Sequence, residues 1–358
     1  MAVVVRECRA YRPGMRDADP ERPFLERLRT AGAKTAEAGR AADPTGAPTG
    51  TPSAHLPWWS PDGPRPRWQT ALLGGVGGAA FGFVASAIAG GVYLALRYGP
   101  PAFSDVDAMS ALAREPIAMA VTVFVAQVGL GVSALVFAAA SPVPWRTRLA
   151  IVRPAGGFGV VTLIVASTVA IHWVAGMFLF ALKSVGWLPP IGEERAAFAE
   201  IVSSLPNAWV APGLLLIGLM PALSEEALFR GFVLTGLLAR WPAWAAIGLS
   251  AAMFAASHLD FTHAVMMLPM GCWLGYAVWR TRSIVPGMVC HLVINGALFL
   301  LVTLVMPGPG GTGPGPPPPA GPAVWLGLLL MAALASPLVL ATVRVLERRA
   351  HETQPPAA

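Results

Sequence analysis

From Trp68 onward the chain alternates long apolar runs with short polar breaks. Stretches near 70–96, 116–140, 157–182, 284–305 and 323–343 are long enough to cross a bilayer, which takes about 20 helical residues. Three more runs lie near 209–239, 242–259 and 261–279, the first interrupted by Ser224, Glu225, Glu226 and Arg230. No strand-like alternation appears. The pattern predicts an all-α, polytopic membrane helix bundle of about eight transmembrane helices. Glycines crowd the first span (Gly74, Gly75, Gly77, Gly78, Gly82), predicting close helix approach there, because small residues let backbones touch.

The flanking segments differ. Residues 1–67 hold 11 of the 25 basic and 8 of the 19 acidic residues and no long apolar run. They read as a flexible, disordered cytoplasmic tail. The opening meets Arg6 before any apolar core forms, so it does not read as a signal peptide. The uncharged Pro/Gly-rich stretch 306–322 reads as an extended loop. The chain therefore divides into the tail 1–67, N-terminal membrane helices 68–204, a chemistry-bearing segment 205–305, the loop 306–322, and a last helix with a basic end, 323–358.

Charge sharpens this picture. Charged residues make up 12% of the chain, about half the soluble-domain average, which excludes an ordinary soluble enzyme. The excess of +6 is too small to point to a nucleic-acid partner and fits loop charges that set orientation. With the tail inside, the inner loops carry Arg146, Arg148, Arg153, Arg240, Arg280, Arg282, Arg344, Arg348 and Arg349. The outer ones carry only Arg97, Arg114, Lys183 and Arg195. The positive-inside rule then places both termini in the cytoplasm. Cys8, Cys272 and Cys290 are too few and scattered for a disulfide framework or a thiolate zinc site.

Charge within a span is costly and marks function by default. Glu226 and Arg230 stand four apart and can pair on one helix face. This leaves Glu225 on another side, free for other work. His258 ends an otherwise apolar run, and His291 and Asn295 share a face of the next-to-last span. Taken singly, each has a bland reading as an interhelical polar contact, and His172 keeps that reading. Depth joins the others. Glu225 and His258 both lie roughly 22–26 Å from the turn at Arg240–Trp241, and His291 and Asn295 roughly 14–20 Å from the same face. They can converge in one intramembrane cavity.

A carboxylate beside a histidine can deprotonate water and return the proton to a leaving group. A second histidine with an amide can donate to an oxyanion. Such a set suits amide hydrolysis, and no serine or cysteine sits in a nucleophile motif. Glu225, His258 and His291 also form a Glu/His/His set compatible with zinc. Without a His-Glu-x-x-His pair, a mechanism with no metal and no cofactor is preferred.

The three motifs, Glu225-Glu226-x-x-x-Arg230, Phe254-x-x-x-His258 and His291-x-x-x-Asn295, in this order resemble those of the CPBP intramembrane proteases. This family comprises CAAX prenyl proteases and bacteriocin-processing enzymes and is also called Abi. Phe229-Arg230-Gly231, Ser250-Ala251 and Arg280–Ile284 agree with it. The resemblance covers 205–305. It implies a helical membrane endopeptidase, often labelled a metalloprotease, in which Glu225 and His258 activate water. His291 and Asn295 would form the oxyanion hole, and Glu226 and Arg230 would support the site. The implied partner is a membrane-associated peptide or a prenylated protein. An Ala/Arg/Pro-rich composition points to a bacterial plasma membrane. Competing readings are a proton-coupled transporter and a non-catalytic immunity or scaffold protein. No internal repeat supports the transporter.

Overall fold

Each apolar run becomes a helix. In the computed structural model these are α1 (Trp68–Tyr98), α2 (Pro116–Ala139), α3 (Gly157–Ser184), α4 (Asn207–Leu237), α5 (Ala243–Ala256), α6 (Phe261–Thr281), α7 (Val285–Val305) and α8 (Pro322–Glu352). The structure describes residues 59, 63–99, 115–188, 201–202, 205, 207–305 and 321–352. These all belong to one unit, Ala54–Ala358. The tail reading falls almost wholly outside the described residues, as does the loop reading for 306–322. No strand occurs among the described residues.

Seven helices are long and apolar enough to cross a membrane, and the chain is an integral membrane protein. The eighth, α5, has 14 residues and covers about 21 Å, short of a hydrocarbon core of about 30 Å. The brief turn 257–260 folds α6 back along it.

Between Glu226 and Leu237, α4 is buried at every position. One side of it, Ala227, Leu228 and Phe229, packs with Phe254, with Met270, Trp273 and Leu274 of α6, and with Cys290 and Ile294 of α7. Phe232, Val233, Leu234 and Leu237 pack with Leu149, Ile247, Val278 and Ile284. Lipid tails are as apolar as leucine, so van der Waals fit rather than hydrophobic transfer holds these helices together. The glycine-rich face of α1 meets α4 here. A Cβ on Gly74 would lie 2.5 Å from Phe232, and one on Gly75 would lie 2.6 Å from Val233.

Most described charges sit at helix ends. Tyr93 donates to Glu115 (2.7 Å) between α1 and α2. Arg280 pairs with Glu347 between α6 and α8, with Tyr276 donating to the same carboxylate (2.7 Å). Arg148 departs from its expected place as an open loop charge. It lies in the short helix Trp145–Arg148 and is fully buried. Its guanidinium donates to the Gly231 carbonyl (3.3 Å) and to Thr235, and lies 4.2 Å over the Phe232 ring. Burial pushes its pKa down to about 9, so it remains charged at neutral pH. It sits against the last turns of α4, where helix carbonyls favour a cation. Trp59 donates its indole N–H to the Thr235 carbonyl (2.8 Å) and fixes the start of the bundle to the same spot.

Candidate active site

The middle of α4 departs from α-helical geometry. Leu214–Leu219 and Glu226–Leu234 are π-helical and flank the α-turn Met220–Glu225. Wide turns of this kind concentrate at functional sites. Pro221 contributes, because it has no N–H for its helical acceptor four residues back, Ile217. The Asn295 amide donates to that carbonyl at 3.2 Å. The proline in α4 thus gives the α7 asparagine its anchor.

The acidic pair lies at the junction between the α-turn and the second π segment. Glu226 Oε1 and Arg230 Nη1 are 3.0 Å apart, both essentially inaccessible, as the four-residue spacing predicts. Glu225 makes no ion pair with Arg230 among the described residues, yet it approaches the same histidine as Glu226. His291 lies between the two carboxylates, with Nδ1 3.1 Å from Glu226 Oε1 and Nε2 3.7 Å from Glu225 Oε2. A carboxylate only accepts, so Nδ1 carries the proton toward Glu226. Two carboxylates against one guanidinium leave one negative charge over, unless His291 or a carboxyl holds a further proton.

Phe254 of α5 organises the other side. Its ring meets His258 (centroids 5.0 Å) and His291 (6.0 Å) edge-to-face, and Arg230 Cζ lies 4.0 Å from its centroid. Its carbonyl accepts from His258 Nδ1 at 2.9 Å. A carbonyl cannot donate, so this bond places the His258 proton on Nδ1 and leaves Nε2 as a basic nitrogen. The His258 ring also packs on His263 (4.6 Å), whose backbone N–H is capped by Asp260 (2.9 Å). No hydrogen bond or ion pair joins His258 to Glu225 among the described residues.

The structure therefore brings Glu225, Glu226, Arg230 and His291 into direct contact. It links His258 to them through Phe254, and holds Asn295 one helical turn from His291. Glu226, Arg230 and His291 are buried, whereas Glu225, His258 and Asn295 are partly buried, with Glu225 Oε2 itself shielded from solvent.

Two contributors escape sequence reading. Gln127 of α2 donates from Nε2 to Glu225 Oε1 at 3.0 Å. It is an amide within an apolar span, but nothing in the sequence reveals its partner 98 residues away. Gly287 of α7 is the other: a Cβ there would lie 2.5 Å from Glu226 Oε2. That carboxylate is held by Arg230 and His291 and cannot give way cheaply. Gly287→Ala is expected to lower the melting temperature and to cut any Glu225-dependent activity about tenfold or more. Thermal unfolding and an activity assay on one preparation check this.

No group of three His, Cys, Asp or Glu side chains converges on a common point among the described residues.

No curated protein and no solved structure matches this chain. Residues 207–297 match a family model, Rce1-like, described as type II CAAX prenyl endopeptidase. That segment, about a quarter of the chain, carries every motif residue above, and it is similar to the CPBP/CAAX protease family to which the three motifs point.

Proposed function

We propose that this protein is an intramembrane endopeptidase that hydrolyses a peptide bond of a membrane-associated substrate with water activated by Glu225. The observation that carries the reading is the Glu225 carboxylate. It is mostly buried in a membrane span, held through one oxygen, and its other oxygen, Oε2, is buried with no hydrogen-bond partner. Such an oxygen accepts a proton from water as that water attacks a carbonyl carbon. The water O–H bond breaks, the C–O bond forms, and negative charge moves to the carbonyl oxygen. The free amide hydrogen of Asn295 stabilises that oxyanion, joined by His291 in its doubly protonated form, in which Nε2 also carries a proton. The C–N bond then breaks, and the proton passes to the leaving amine. His258, with Nε2 unprotonated, assists as a second base. Glu226 and Arg230 fix His291 in place.

The resemblance to CAAX prenyl endopeptidases favours a substrate near a lipidated terminus. The charge asymmetry of the loops favours both termini in the cytoplasm, and the Ala/Arg/Pro-rich composition favours a bacterial plasma membrane. The α5–α6 hairpin doubles back on itself, so the shortness of α5 is compatible with this orientation. No step uses a metal, and chelators are expected to leave activity unchanged.

The test compares peptide termini in membrane fractions from cells carrying the wild type or Glu225→Ala at equal expression. Termini that appear only with the wild type support the proposal. Identical sets of termini contradict it and favour a transporter or a scaffold.

A further inference from the structure

We propose that Gln127 of α2, outside the family-matched segment, is the positioning residue that divides the two oxygens of Glu225 into a held one and a reactive one. The inference rests on the peptidase reading and adds a residue to it. Gln127 Nε2 donates to Glu225 Oε1 at 3.0 Å, and the Ser224 hydroxyl contacts Gln127 Oε1. Ser224 is itself anchored to the Met220 carbonyl (2.8 Å). The Glu225 carboxylate only accepts, so Nε2, the donor end of the amide, must face it, and Oε1 is left toward the Ser224 hydroxyl. With Oε1 engaged, Oε2 is left without a hydrogen-bond partner, 3.7 Å from His291 Nε2. The amide binds one oxygen and aims the other.

The sequence context supports a dedicated role. α2 is apolar with no charged side chain, and an amide there must be satisfied by a partner. Gln127 finds one in the neighbouring helix, on the one carboxylate that the Arg230 guanidinium does not neutralise. The groups facing Gln127 are Ser224 and Glu225 from α4. Beyond Glu225 stand His291 of α7 and, through it, the Glu226–Arg230 pair.

The experiment uses full-length protein in liposomes and a quenched fluorescent peptide ending in a farnesylated Cys-a-a-X sequence. Gln127→Met keeps the shape and removes the donor. It is expected to lower kcat about ten- to a hundredfold with KM unchanged. Ser224→Ala, which removes the contact at Gln127 Oε1 but leaves Nε2 on the carboxylate, gives a smaller loss in the same direction. Gln127→Glu separates positioning from packing by its pH profile. Protonated, the introduced carboxyl can donate as the amide does. Ionised, it repels Glu225. Its deficit therefore grows as pH rises, whereas that of Gln127→Met stays constant. Wild-type kcat in Gln127→Met, or a loss confined to KM, overturns the proposal.

A second measurement needs no turnover. Labelling of Glu225 by dicyclohexylcarbodiimide, read by mass spectrometry, is expected to run several-fold faster in Gln127→Met, because the carboxyl has lost its fixed donor. Unchanged labelling overturns the role of Gln127 even if the peptide is not cleaved. Lack of cleavage by the wild type with faster labelling in Gln127→Met upholds that role and counts against the peptidase reading alone.

Discussion

Replacing Glu225 with Gln is expected to lower the hydrolysis rate by a factor on the order of 10³ without loss of fold, because a positioned general base contributes about 10²–10⁴. The amide has the shape of the carboxylate but cannot take a proton from water. The fold is spared because Glu225 is partly buried and its ion pair with His291 is long, at 3.7 Å. His258→Ala is expected to reduce the rate less. His258 reaches the acidic cluster only through Phe254, at a 5.0 Å ring separation. A graded series, with Glu225 far above His258, is the signature of a carboxylate-led mechanism. Rate measurements in liposomes at equal protein content provide the check, with melting temperature as the control for folding.

Arg230→Ala is expected to be the most destabilising single change, at about 3–5 kcal/mol, the usual result of stripping one partner from a buried ion pair. The guanidinium is 1% exposed and lies 3.0 Å from Glu226, itself 0% exposed. Its loss leaves a carboxylate deep in the bundle with only His291 beside it. It also removes the cation over the Phe254 ring, the hub on which His258 and His291 rest. Arg230→Lys restores little, since a point charge does not match both a carboxylate and a ring face as a planar guanidinium does. The double change Glu226→Gln with Arg230→Met is expected to recover most of the stability, because no unpaired charge remains, but not the activity. Thermal unfolding in mild detergent reads all three. A loss below about 1 kcal/mol for Arg230→Ala is incompatible with a buried, paired charge.

Much of this molecule is legible in its sequence, for identifiable reasons. Except for α8, which runs on to Glu352 past its apolar stretch 323–343, the helices start and stop within a few residues of the apolar runs, because a membrane span must satisfy its backbone within itself and be apolar outside. The Glu226–Arg230 pair follows from four-residue spacing. Convergence of α4, α5 and α7 follows from counting residues to a common turn. What was not legible depends on partners distant in sequence or on local irregularity. The π-turns of α4 are not encoded by any periodicity. Both acidic residues approach His291, which four-residue spacing from Arg230 does not reveal. The shortness of α5 is hidden because its apolar run continues through the turn toward α6. Gln127 and Gly287 are ordinary residues until the carboxylates opposite them are known. Arg148 looks like one more loop charge, and only the packed end of α4 reveals that it is buried.

The central claim is that a carboxylate in α4 drives peptide hydrolysis within the membrane. The most direct measurement is cleavage of the reporter peptide in liposomes made up in H₂¹⁸O, with wild type and Glu225→Gln side by side and a chelator present throughout. The account predicts one ¹⁸O in the new carboxyl terminus released by the wild type, and a rate at least a hundredfold lower for Glu225→Gln. Cleavage by Glu225→Gln at the wild-type rate would contradict it.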